Sequence, residues 1–322
     1  MADKAYTYAV ARIRAKEINL LSDSDIEQLM ACKNIESCMN FLHEKGWGNG
    51  TKEETIDEML QTQSDNAWKE MDDLVPDKKV FSIFYINKEY HNLKTAIKQV
   101  CSEDETENAY YRGMKFSPEE LKGFIEKKEF EVFDKKMATA AREATEALLH
   151  TQDGQLCDII IDKACLESIY AAGEESHSEF IENYANDYVS VANIRMAVRC
   201  AKTGKSKEFM ERTLVNCKGV DVNTLIGAST SVEEICNYLE STSYSDAIEY
   251  IKDSSSAFER WCDNRIMETL QKQKYNPFSE GPILAYVLAR ENEIKTVRII
   301  LTCKLNNLSE EFIRERVRKM YV

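Results

Sequence analysis

Residues 133–148 read FDKKMATAAREATEAL, and this stretch is the clearest indication of the fold class. Its apolar side chains recur every three or four positions, at Phe133, Met137, Ala140, Ala141, Ala144 and Leu148. Lysine, arginine and glutamate fill most positions between them. Apolar residues at this spacing lie on one face of an α-helix. The stretch therefore predicts an amphipathic helix that buries its alanine-rich side.

The same spacing recurs at both ends of the chain. Two further stripes have it: Tyr6, Ala9, Val10 and Ile13, and then Ile313, Val317, Met320 and Tyr321. Helix starts are predicted at Ser22 or Ser24 and at Ser117-Pro118, because serine caps orphan N–H groups and proline suits the first helical position. Gly173 and Gly204 are predicted to end helices.

Composition supports a fold made of helices alone. The 322 residues include only 4 prolines and 11 glycines, whereas β folds need many such residues at their corners. Apolar residues make up 43% of the chain, which is enough for a substantial core. The apolar run at 80–86 could form a strand, but it merges into a helical pattern. We therefore predict an all-α protein.

The charge balance narrows the range of partners. The net charge of −14 disfavours binding to nucleic acid or to an anionic membrane surface. No run of about 18 apolar residues is present, so direct membrane insertion is not expected. The ten cysteines form no C-x-x-C motif, and the charged N-terminus does not resemble a secretion signal. These features predict reduced thiols and a cytoplasmic location.

A threefold internal repeat is the main long-range feature. Its signature residues are Tyr85 and Asn92, Tyr184 and Asn193, and Tyr286 and Glu293. Asn92 and Asn193 are 101 positions apart, and Glu293 follows after another 100. We predict helical repeats at 1–112, 113–213 and 214–322, arranged about a pseudo-threefold axis as a funnel-like body with a central cavity. Packing is the simpler role for the signature residues, and partner contact is the alternative.

Arginines are the better candidates for partner contact, because a guanidinium group can bind a carboxylate through two hydrogen bonds. The candidates are Arg12, Arg14, Arg195, Arg199 and Arg298. Intramolecular ion pairs are the alternative in so acidic a chain. Residues 298–322 are also locally basic, with six lysines and arginines against three glutamates. This segment is either a solvated helix end or a contact for an acidic partner.

The sequence contains no convincing catalytic motif. The four histidines form no metal-binding pair, and no G-x-S-x-G motif occurs. Gly204-Lys205-Ser206 resembles the end of a phosphate-binding loop, but Arg199 occupies the position of the required first glycine. We therefore expect no catalytic residue, no metal and no cofactor.

Three segments resemble the C subunit family of V/A-type rotary ATPases, whose eukaryotic members are called d. They are residues 8–22, beginning YAVARIRAKE, then 276–301, which include NPFSEGP and AYVLARENEIKTVRIIL, and then 313–321. The resemblance extends over nearly the whole chain. It departs from the family at residues 217–220, where CKGV replaces a frequent Gly-Gly, and at Glu293, where the other two repeats have asparagine.

This resemblance implies a non-catalytic subunit of the central rotor. Such a subunit is a socket between the central stalk and the membrane proteolipid ring, and it transmits torque between ATP synthesis or hydrolysis and transport of protons or sodium. It binds no nucleotide and is held at the membrane by its partners. Two alternatives stay open from the residues alone: a helical scaffold that binds partner helices in grooves, and an enzyme on a helical fold. A deep pocket with perturbed titrating groups would favour the enzyme.

Overall fold

The computed structural model describes residues 6–51, 53–75, 81–102 and 110–322. Within these ranges the chain forms sixteen α-helices and no β-strand, so the all-α prediction is confirmed. The helices are α1 Thr7–Glu17, α2 Asp23–Ala31, α3 Ile35–Glu44, α4 Ile56–Leu74, α5 Ser82–Ser102, α6 Pro118–Lys127, α7 Lys135–Thr151, α8 Gly154–Glu175, α9 Glu179–Thr203, α10 Lys207–Thr213, α11 Val222–Ala228, α12 Val232–Leu239, α13 Ala247–Asp253, α14 Ser255–Gln271, α15 Gly281–Leu305 and α16 Glu310–Arg314.

The chain divides into two compact units. The first contains residues 1–78 together with 246–322, and the second contains residues 79–245. In the first unit, the long helix α15 packs against α1, α2, α3, α4, α14 and α16. Its Val297, Ile300 and Leu301 are fully buried against Leu29 of α2 and Leu60 of α4. This apolar core joins the two ends of the chain in one body.

In the second unit, α8 is the central helix, and it packs against α5, α7, α9 and α10. The stripe predicted at residues 133–148 lies within or just before α7. Phe133 precedes this helix, and Met137, Ala140, Ala141, Ala144 and Leu148 are all buried. The amphipathic helix predicted there is confirmed. The segment around residue 83 belongs to α5 and forms no strand.

Most predicted helix ends agree with the structure. Ser22 and Ser117 each cap a helix and form a capping box with an acidic residue three positions later. Gly204 ends α9 in a left-handed conformation. Gly173 was predicted to end a helix, and this is wrong: it lies inside α8. A Cβ atom there would lie 2.4 Å from the Cβ of Ala185, so glycine is needed for close packing of α8 and α9.

The predicted helical stripe at the C-terminus is also wrong in part. Helix α16 ends at Arg314, and residues 317–322 are not helical. Met320 and Tyr321 are nevertheless almost fully buried. Apolar spacing identified the buried residues correctly but not their backbone conformation, because a tail held by other helices can bury side chains at any spacing.

Long helices recur in pairs along the chain. Helices α4, α8 and α14 begin at residues 56, 154 and 255, and α5, α9 and α15 begin at residues 82, 179 and 281. These intervals are close to the period found in the sequence. The boundaries of three repeats, and their arrangement about an axis, stay predictions.

All ten cysteines are free thiols, and seven of them are buried.

Candidate partner-binding surfaces

Asn92 and Asn193 make equivalent hydrogen bonds within the second unit. The Asn92 amide donates to the carbonyl of Tyr111 at 2.8 Å and accepts the N–H of the same residue at 2.8 Å. Asn193 donates to the carbonyl of Val215 at 2.7 Å and accepts its N–H at 3.0 Å. Each buried amide therefore satisfies both backbone groups of one residue in a later loop. We call this arrangement a backbone clamp.

Glu293 takes part in a charged version of the clamp in the first unit. A carboxylate accepts hydrogen bonds but cannot donate them, so a second side chain is needed. Glu293 Oε1 accepts the N–H of Leu21 at 2.5 Å. Arg290 donates to Glu293 Oε2 at 2.6 Å and to the carbonyl of Asn19 at 3.1 Å. Arg290 and Glu293 together thus bind the backbone that follows α1.

Burial dominates the electrostatics of this pair. Arg290 is 5% exposed, and Glu293 is fully buried. Burial raises the pKa of Glu293, while Arg290 and the N–H of Leu21 act in the opposite direction. The sequence analysis missed Arg290. Its position three residues before Glu293, on the same helix face, was the available signal.

The signature tyrosines have different surroundings. Tyr184 is buried and packs on Phe84 with ring centroids 5.1 Å apart. Tyr286 is also buried, and the Arg290 guanidinium lies 5.9 Å from its ring centroid. Tyr85 is only half-buried. The three tyrosines therefore differ in burial, whereas Asn92 and Asn193 are both buried.

Three of the candidate arginines are in ion pairs within the first unit. Arg12 on α1 binds Glu70 of α4 at 2.7 Å. Arg14 binds Glu17 at 2.6 Å and also donates to the carbonyl of Gln273. Arg298 on α15 binds Asp57 of α4 at 2.6 Å, and both side chains are largely exposed. Exposed pairs of this kind contribute little to stability and can exchange partners.

The other two candidates lie one turn apart on α9. Arg195 is half-buried, whereas Arg199 is exposed. Among the residues that the structure describes, Arg199 has no acidic partner. A similar position on α5 is held by Lys98, which binds Asp158 of α8 at 2.6 Å. Arg199 is therefore the candidate whose guanidinium group is most available for another molecule.

The basic C-terminal segment is largely neutralised within the first unit. Arg314 binds Glu27 at 2.5 Å, and Lys319 lies 3.6 Å from Glu268. Lys295 and Arg318 both bind Asp263 at 2.6 Å. These pairs favour the interpretation that the cations hold the tail on the helices beneath it.

Asp263 should make stability sensitive to acid. Burial raises its pKa, but the two cations outweigh burial, so the net pKa lies below the ordinary value of 3.8. A lowered carboxyl pKa stabilises the folded state above pH 3.8, and this contribution is lost as the pH falls through the folded-state pKa. We expect Asp263→Asn to flatten the loss of stability below about pH 4 in denaturant titrations. An unchanged pH profile would contradict this assignment.

A small cavity lies within the second unit. A cavity of about 60 Å³ between α5, α6 and α7 is lined by Glu89, Asn92, Met114, Lys115, Phe116, Leu121, Phe133, Asp134 and Met137. Burial raises the pKa of Glu89 there, with Lys115 opposing the shift. Ligand pockets usually enclose roughly 300 Å³ or more, so this cavity suits a few water molecules.

The described residues also lack the features of a metal site or of a membrane span. They contain no group of three or more histidine, cysteine, aspartate or glutamate side chains placed to hold a metal ion. None of their helices has both the length and the apolar character needed to cross a membrane. Gly204 ends α9, and Ser206 caps α10, so Gly204-Lys205-Ser206 is a helix junction.

Comparison with known proteins identifies the family. The sequence model of the ATP synthase (C/AC39) subunit family matches residues 9–316. The chain belongs to this family. The matched range reaches into all three predicted repeats and includes the clamp residues Asn92, Asn193 and Glu293. The resemblance found in the sequence is thereby confirmed.

Relatives in the C/AC39 family have diverged widely in sequence. The C subunit of the A-type ATP synthase of Methanocaldococcus jannaschii is 26% identical, and the alignment covers 96% of this chain and 85% of that protein. The C subunit of the V-type sodium ATPase of Enterococcus hirae is 21% identical, with 96% and 97% covered. The C subunit of the A-type ATP synthase of Haloferax volcanii is 23% identical, with 91% of each chain covered.

Proposed function

We propose that this protein is a non-catalytic subunit of the central rotor in a V/A-type ATP synthase or ATPase. It is a socket between the central stalk and the membrane proteolipid ring, on the cytoplasmic side. It transmits torque that couples ATP synthesis or hydrolysis to transport of protons or sodium. The observation that carries the proposal is the C/AC39 family match from residue 9 to residue 316.

The structure is consistent with a mechanical role. The backbone clamps and the buried Arg290–Glu293 pair fix loops to long helices, which makes each unit resistant to deformation. The buried core joins α15 to the N-terminal helices, so load applied at one end of the chain reaches the other through packed side chains. Exposed cations on α9 and exposed ion pairs on α1 and α15 provide polar contact sites suited to partners that are also stable apart.

A binding experiment tests the proposal directly. Purified protein would be mixed with reconstituted stalk subunits and, separately, with detergent-solubilised proteolipid ring, at low and moderate salt. We expect binding to both, with affinity that falls as salt increases, because part of each contact is ionic. Binding to neither partner by correctly folded protein would reject the socket. A helical scaffold for other partner helices would then be the favoured function.

Charge reversal at Arg199 should uncouple the assembled enzyme. Reversing an interfacial charge replaces attraction by repulsion, so we expect Arg199→Glu to lower the number of ions transported per ATP hydrolysed by about half or more. ATP hydrolysis by the catalytic subunits should persist. Reversal of Arg195 or Arg298 should act in the same direction. Ion flux and ATPase rate would be measured in the same vesicles.

Arg142→Glu is the matched control for this reversal. Arg142 is an exposed arginine on α7 that pairs with Glu131, and it is not a predicted contact. Its reversal should leave coupling unchanged. If reversal of Arg195, Arg199 and Arg298 also leaves coupling unchanged, the assignment of these arginines to the interface is wrong.

A further inference from the structure

Helix α1 has two apolar faces, and only one of them is buried. Ala9, Val10 and Ile13 pack into the first unit, where α1 contacts α15. On the outer side of the helix, Tyr8 is 70% exposed and Ile18 is 82% exposed. A helix that is apolar on both sides is unusual at a protein surface, because one face is normally polar.

The outer residues have the spacing of a helix-packing seam. Tyr8, Ala11, Ala15 and Ile18 are exposed and are separated by three, four and three positions. This is the alternation with which apolar residues repeat where two helices pack side by side. Ile18 follows the last residue of α1 but keeps helical backbone angles, so it continues the seam. The two alanines leave room for a second helix to approach closely.

Two exposed aromatic residues lie in the segment that Arg14 links to α1. Arg14 donates to the carbonyl of Gln273 at 2.8 Å, which fixes the segment after α14 beside the end of α1. In that segment Tyr275 is 89% exposed and Phe278 is 56% exposed. Lys274 is held there as well, since its ammonium lies 4.8 Å from the ring centroid of Tyr321. We call Tyr8, Ala11, Ala15, Ile18, Tyr275 and Phe278 the α1 seam.

Positive charge borders the α1 seam, although the chain is acidic. Arg12 and Lys16 share a single carboxylate, that of Glu70, at 2.7 and 3.6 Å, so one positive charge is left over. Lys272 is exposed and has no acidic partner among the described residues. A second copy of this chain would bring like charges together at the seam. An anionic membrane would be repelled by the net charge of −14 elsewhere.

We propose that the α1 seam binds a partner α-helix that presents an apolar stripe flanked by carboxylates. Under the proposed function, on which this inference rests, that helix belongs to the coiled coil of the central stalk. Apolar residues of the partner pack against Ala11 and Ala15, and Tyr275 and Phe278 cover its end. Carboxylates on the partner's flanks pair with the cations that border the seam. Aromatic anchors beside a polar rim are the usual composition of a binding hot spot.

The test places negative charge in the seam without disturbing the fold. Ala15→Glu and Ile18→Glu change exposed positions, and glutamate is a good helix former. We expect the double variant to bind reconstituted stalk subunits at least about tenfold more weakly, because buried like charges repel. Ala15→Lys introduces a side chain of similar size but of opposite charge to glutamate. Because its charge would attract the partner's carboxylates, it should weaken binding clearly less than the double variant does. Leu149→Glu, at an exposed apolar site on α7, is the matched control and should bind normally.

The outcomes separate this inference from the proposed function. If the unaltered protein binds neither stalk nor ring, the proposed function fails. If it binds the stalk and the double variant binds equally well, the α1 seam is not the stalk site and the inference fails alone. If the double variant loses ring binding but keeps stalk binding, the inference is also overturned. Circular dichroism of each variant would verify that the helices are retained.

Discussion

Glu293→Ala should lower the free energy of unfolding by about 3–5 kcal/mol, the usual effect of breaking a buried ion pair. The substitution leaves the Arg290 guanidinium without its carboxylate in a site that is 5% exposed. It also leaves the N–H of Leu21 without an acceptor, because the Glu293 carboxyl accepts that bond in either protonation state. Urea or guanidinium denaturation at neutral pH would measure the change.

Asn193→Ala is the matched control for the charged clamp. It removes an equivalent set of bonds from a buried neutral side chain. We expect a smaller loss of about 1–3 kcal/mol, since no charge is left unpaired. The double variant with methionine at Arg290 and leucine at Glu293 should lose less free energy of unfolding than Glu293→Ala does, because the double variant removes both charges. A loss below about 1 kcal/mol for Glu293→Ala would show that the buried pair is not structural.

Tyr321→Ala should destabilise the first unit by about 3–5 kcal/mol, the range measured for large aromatic residues removed from cores. Tyr321 is 1% exposed although it is the penultimate residue of the chain. Its hydroxyl donates to Glu17 at 3.2 Å, and Gln271 donates to its carbonyl at 3.2 Å. The tail therefore ties α14 to α1. Thermal unfolding followed by circular dichroism would measure the loss.

Val322→Ala provides the comparison at the neighbouring position. Val322 is 41% exposed, so its truncation should change stability by less than about 0.5 kcal/mol. Equal effects at the two positions would mean that the tail is not packed as described. Tyr321→Phe should fall between them, because it keeps the ring and loses only one hydrogen bond.

Sequence patterns predicted part of the candidate site. The 101-residue spacing singled out Asn92 and Asn193, and both are buried with equivalent bonds. Glu293 lies 100 positions after Asn193, where the third repeat has glutamate instead of asparagine. Because a carboxylate cannot donate a hydrogen bond, Arg290 donates to the backbone carbonyl there. The α1 seam was missed because only the buried stripe of that helix was considered, although the spacing of its outer residues was present in the sequence.

Local sequence was sufficient to predict α1, the capped starts of α2 and α6, the end of α9 and the buried stripe of α7. These features depend on residues within one or two turns, where periodicity and capping chemistry act. The partners of the arginines became known only from the folded chain, since Arg298 and Asp57 are 241 positions apart and Arg314 and Glu27 are 287 apart. The continuation of α8 through Gly173 and the packing of a non-helical tail were likewise set by the fold. Those outcomes depend on neighbours brought close by folding, which no local pattern specifies.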